Sequence, residues 1–103
     1  MTSYTADPRD LAAELSPDTV IAYLLAQGFE RTMHDVYVSL YRRPNDGMAD
    51  AVEVPLNPDL ADYGRRMLEA LESLDGAFLG LLHAIDPQRF PRERILALAG
   101  VAP

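Results

Sequence analysis

The residues able to do chemistry in this chain are few, and their spacing matches no familiar site. Its two histidines are His34 and His83. A zinc-type centre needs further carboxylate or histidine ligands at matching spacing, and no His-Glu-x-x-His pattern occurs. His83 sits in the apolar run "GLLHAID", which suits a packed structural histidine. His34 precedes Asp35 and reads as a turn residue, with a catalytic or pH-sensitive role as the second reading. Ser39, in "YVSLY", has no glycine elbow around it, so the hydrolase nucleophile pattern is absent. The "GAFLG" run has no strand before it and no lysine after it, which excludes a phosphate loop. Asp62 with Arg66, and Arg65 with Glu69, stand one helical turn apart and read as surface ion pairs. No catalytic, cofactor-binding or metal-binding residue is assigned, and the expectation is a protein that is not an enzyme.

The elements that would position these residues belong to one small domain. The chain has 103 residues, nearly half of them apolar, enough for a single core. It contains no cysteine, which removes disulfides and thiol chemistry. No apolar run reaches the roughly 18 residues of a membrane span, and "MTSYTADPRD" has neither a basic nor an apolar leader region. A cytoplasmic location follows as the expectation. All nine basic residues are arginine, and the net charge is −7. The acidic excess lies in 1–30 and 57–88, while Arg89, Arg92 and Arg94 make the tail basic. Such an acidic body disfavours nucleic acid and anionic membrane as partners.

Three segments open with the same device, a capping side chain followed by proline: Asp7-Pro8, Ser16-Pro17 and Asn57-Pro58. They predict a short first helix, a second helix ending at Gly28, and a long main helix. Leu60, Tyr63, Met67, Leu71 and Leu74 form the buried stripe of that main helix. "DVYVSLYRR" and "AVEVPL" alternate as strands joined through Asp46-Gly47, and "FERTM" could add a strand before them. Val36, Val38 and Leu40 are expected on the core face, with Tyr37, Ser39 and Tyr41 opposite. "AFLGLLHAID" either continues the main helix through Gly76 or restarts there, and "FPRERILALAG" closes the chain as a last helix. The predicted fold is α+β: an antiparallel hairpin of two or three strands packed on helices, a single domain over 1–103, with loose ends at 1–6 and 101–103.

Two resemblances follow from these residues. "VIAYLLAQGFE", "YVSLYRRP" and "VEVP" resemble HicA-type toxins, small domains related in shape to double-stranded-RNA-binding modules. That family places a catalytic histidine in a Gly-Ser-His motif at the start of a strand. Here the neighbourhood is "TMHDVYVSLY", without Gly-Ser before His34, so the resemblance implies layout and not the ribonuclease role. "VEVPLNPDLADYGRRMLEALESL" is similar to an uncharacterised bacterial α+β module, with Val54, Pro55, Leu56, Asp62, Tyr63 and Arg66 carrying the match. That resemblance implies a fold and no activity.

The functional expectation is therefore a protein–protein interaction or regulatory module, of antitoxin-like, inhibitor or accessory-subunit type. The alternative is a nucleic-acid-binding or HicA-like ribonuclease domain using His34, Arg42, Arg43 and the tail arginines. Tyr37, Tyr41 and Arg43 on the outer sheet face are candidate contact residues, as are Arg89 and Arg92. The last helices carry more apolar residues than a hairpin can cover, among them Phe78, Leu79 and Leu82. A homodimer, or a complex with another chain, is expected through 77–99 or the strand edge at 35–42.

Overall fold

The computed structural model of the chain describes residues 7–44 and 51–100. The chain ends predicted to be loose and the Asp46-Gly47 turn lie outside them. Helix α1 spans Pro8–Ala13, with Asp7 accepting from the Arg9 N–H at 2.9 Å. Helix α2 spans Pro17–Ala26, capped by Ser16, which accepts from the Thr19 N–H at 3.2 Å. Gly28 ends it at φ +92°, a conformation open to glycine and costly for other residues. Both cap-and-proline starts form as local chemistry dictates.

The third does not. Helix α3 is Tyr63–Glu72, and Asn57-Pro58 begins a turn six residues before it, at Asn57. The Asn57 side chain accepts from the Asp59 N–H at 3.0 Å and its carbonyl from the Leu60 N–H at 3.3 Å. Tyr63 N–H then bonds Leu60 C=O, so 57–62 makes successive tight turns. An asparagine side chain closes a turn as readily as it caps a helix. Leu60 consequently lies 45% exposed, outside the core stripe that Tyr63, Met67, Ala70 and Leu71 form. Gly76, at φ +119°, separates α3 from α4 (Phe78–Ile85), so the 59–85 region holds two helices and not one. Helix α5 is Arg92–Leu98 and stops at Gly100, as expected.

Three strands make one antiparallel sheet in the order β1 (Glu30–His34), β2 (Val38–Arg42), β3 (Val52–Pro55). The register pairs Ser39 with Val54 and Tyr41 with Val52. Residues paired across an antiparallel ladder share a face. Ser39 and Tyr41 therefore point with the two valines into the core, at 0% and 1% exposure. This reverses the expected orientation: Val38 and Leu40 lie half-buried on the outer face, and Val36 is not in a strand at all. Strict alternation defines two faces without saying which is inside. Tyr41 accepts a hydrogen bond from the Ser39 hydroxyl at 3.0 Å, which removes the cost of burying the pair.

The helices form the second layer, giving an α+β fold. The core comprises Leu11, Leu15, Val20, Leu24, Tyr41, Val52, Val54, Tyr63, Met67, Leu71, Leu81, Leu82, Ile85 and Phe90. Leu82 is fully buried, so the prediction that it lies on an exposed interface is corrected; Phe78 and Leu79 are half-buried against the same core. The surplus apolar surface read from the sequence is thus largely inside the domain. Helix α5 buries no residue completely. It is held by Ile95 and Leu98 and by Arg94, whose guanidinium meets both Glu14 carboxylate oxygens at 2.8 and 2.7 Å and lies 4.5 Å from the Phe90 ring centre. That pairing holds the Glu14 carboxyl below its ordinary range.

Candidate interaction surface

Among the described residues, the part of the molecule that its own packing explains least is the β1–β2 hairpin. Helices α2 and α3 pack on β3, while β1 has its substantial contact with β2 alone. All five residues of β1 are exposed. Strand propensity does not account for such an overhang, because a strand covered on neither face gains little from burial. It is held by the ladder and by the turn that ends it.

That turn is built by Asp35. Its Oδ1 accepts from the N–H groups of Tyr37 at 2.7 Å and Val38 at 2.9 Å, and its own N–H donates to the Val38 carbonyl at 2.9 Å. These donors, Val38 first and Tyr37 second, hold the Asp35 carboxyl below the usual carboxylate range. The apex is therefore fixed, and it presents Val36 at 80% and Tyr37 at 67% exposure. Met33, 41% exposed, pairs across the strands with Leu40 and continues the apolar strip along the outer face towards Val38. A rigid turn carrying an aromatic and a branched aliphatic side chain into water has the form of a contact anchor, since ordering costs on binding are already met.

The remaining predicted site residues separate. Tyr37 lies at the hairpin apex as a contact residue. Tyr41 does not: its ring is core, and that prediction is corrected by the register described above. Arg43 is exposed at the base of the hairpin, its guanidinium 4.8 Å from the Phe29 ring centre. Arg89 sits at the far end of the helical layer, 3.9 Å from Glu14 and 4.0 Å from Asp86, and Arg92 is exposed at the start of α5. Arg89 and Arg92, with Phe78 and Leu79, belong to the helical layer and do not join the hairpin; its apex surface is carried instead by Met33, Val36 and Tyr37. Sequence reasoning assigned Val36 to the core and passed over Met33. The signal available was Asp35 itself, a turn-forming residue set before an alternating strand.

The polar groups near the hairpin form a short chain. His34, exposed at the end of β1, has Nδ1 3.3 Å from Ser39 Oγ, and Ser39 in turn reaches Tyr41. The arrangement places a histidine beside a serine, yet Ser39 has no accessible surface at which a substrate could meet it. A nucleophile must touch its substrate. The chain instead satisfies a buried hydroxyl. His83 is exposed, with Nδ1 2.9 Å from the Phe90 carbonyl, tying α4 to the turn before α5. Among the described residues no three histidine or carboxylate groups lie together as a metal site would require, and no helix is long and apolar enough to cross a membrane.

No family model, curated protein or solved structure matches the chain. The functional reading therefore rests on the surface itself.

Proposed function

We propose that this protein is an interaction module that docks on another protein through the apex and outer face of the β1–β2 hairpin. The observation that carries the reading is the preorganised turn at Asp35, which holds Val36 and Tyr37 in water on a strand pair left largely uncovered by helices. Met33 extends the contact, and the half-buried Val38 and Leu40 supply its apolar floor. The acidic body would steer the module towards partners with a basic rim around an apolar pocket. A regulatory, inhibitor or accessory-subunit role follows from such a module, and the partner is proposed to be a different chain.

The test is a comparative purification from the source cells with tagged wild-type protein and a Val36→Asp/Tyr37→Asp double variant. Both changed positions are solvent-exposed, so circular dichroism should show the same fold. A defined protein should accompany the wild type and be lost from the variant. Recovery of the same proteins with both would sink the hairpin as the contact.

A second reading is kept by the exposed Arg31, Arg42 and Arg43 at the base of the hairpin, with exposed His34 on β1. It is nucleic-acid binding of the HicA-like kind. Contacts to phosphate would weaken steeply with salt, so a gel shift with structured RNA at low salt tests it, and absence of a shift removes it.

A further inference from the structure

A different surface lies at the other sheet edge, and it does not depend on the hairpin reading. Leu56 N–H donates to the Tyr37 carbonyl at 3.0 Å. In the same register, Ser39–Val54 and Tyr41–Val52 follow at two-residue steps, so they are the hydrogen-bonded pairs of the β2–β3 ladder. Leu40–Glu53 is then a non-hydrogen-bonded pair, and the Glu53 N–H and C=O point away from β2, to an edge that no strand pairs among the described residues. The edge does not face open solvent alone. Helix α3 stands off from it, leaving a groove of about 440 Å³ lined by Ala51, Glu53, Pro55, Arg65, Arg66 and Glu69, among others.

We propose that this groove receives an extended segment of another protein as a fourth strand beside β3, with a basic residue next to Glu53 and acidic residues against Arg65 and Arg66. Strand addition supplies affinity through backbone pairing and specificity through alternate side chains. A residue opposite Glu53 would exchange both hydrogen bonds with it and share its face of the sheet. Its two neighbours point to the other face, where α3 carries Arg65 and Arg66. Arg65 is loosely held, 3.4 Å from Asp62 and 3.5 Å from Glu69, and is half-exposed, so its guanidinium is available to a carboxylate. The required pattern is acid–base–acid. A second copy does not fit it: two-fold pairing centred on this edge sets Glu53 against Glu53, and like charges directly opposite are destabilising. The other edge is protected differently, since the register shift at Thr32 disrupts the line of β1. Pro55 lacks an N–H and limits the site to a short segment around Glu53.

The probe is the capped peptide acetyl-TVEREVT-amide, added to about 1 mM to the ¹⁵N-labelled chain. Saturable shifts are expected at Glu53 and at the side chains of Arg65 and Arg66, with exchange of the Glu53 amide slowed about tenfold. Methylating the backbone nitrogen of the peptide's arginine should abolish these changes. Arg65→Glu should weaken binding about tenfold while circular dichroism shows the same fold, because Arg65 is a surface residue whose lost ion pairs are exposed. No shift at Glu53 overturns the proposal, and so does equal binding by the methylated peptide. Shifts confined to 33–38 would place the peptide on the hairpin and also overturn it. The Val36→Asp/Tyr37→Asp variant should bind the peptide as the wild type does, so the two surfaces fail or stand separately.

Discussion

Replacing Tyr63 by phenylalanine isolates one hydrogen bond that joins the first loop to the main helix. Tyr63 is 2% exposed, and its hydroxyl donates to the Leu15 carbonyl at 2.6 Å across 48 residues of sequence. Phenylalanine keeps the ring, so no cavity opens. The change leaves the Leu15 carbonyl without its partner in a dry place, which costs about 1–3 kcal/mol. With a urea m-value of about 1.5 kcal/mol/M, a loss of about 2 kcal/mol moves the unfolding midpoint down by roughly 1 M, with m unchanged. The pH dependence adds a second signature. Burial pushes the Tyr63 hydroxyl from 10.0 up to about 12. Below pH 10 the tyrosine is neutral in both folded and unfolded chains, and its contribution is fully present. Between 10 and about 12 the unfolded chain ionises first, so the wild type loses stability that the phenylalanine variant never had. The gap between the two proteins should therefore be widest near neutrality and close as the pH climbs through that window. An unchanged midpoint at pH 7 would refute the reasoning, and so would a gap that widens in alkali.

Gly64→Ala should destabilise the domain by about 1–3 kcal/mol, the range for overpacking, because an added Cβ would stand 2.5 Å from the Arg9 carbonyl oxygen and 3.2 Å from Ala13 Cβ. Thermal melting checks this, and a melting point within a degree of wild type would mean that α1 moves aside freely. Leu82→Asp, which would split a dimer if Leu82 were on an interface, should instead unfold the chain, since it places a carboxylate where exposure is 0%. Loss of far-ultraviolet helical signal is the expected result; a folded variant would return Leu82 to the surface.

What the sequence determined by itself is the local chemistry. Asp7-Pro8 and Ser16-Pro17 cap helices because a short acceptor side chain and a fixed φ act within three residues, whatever packs around them. Gly28 and Gly100 stop helices for the same reason, and the ion pairs of Asp62 with Arg66 and Arg65 with Glu69 follow from helical spacing. The α+β class was legible because strand-like and helix-like periods are distinct. The tertiary structure decided the rest. Asn57-Pro58 has the same letters as a helix start, yet it closes a turn; α3 begins at Tyr63, which buries its ring and bonds Leu15. The alternation from Val36 to Tyr41 offered two faces of nearly equal claim, and pairing with Val52 and Val54 chose the one with Ser39 and Tyr41. That choice put a polar pair inside, where it satisfies itself, and turned Leu40, with Met33 opposite it, to the outer face, while the Asp35 turn holds Val36 and Tyr37 in water. A side chain's face is set by its partner across the sheet, and residues that are remote in sequence supply that partner. The candidate surface is a consequence of that register together with the local turn at Asp35.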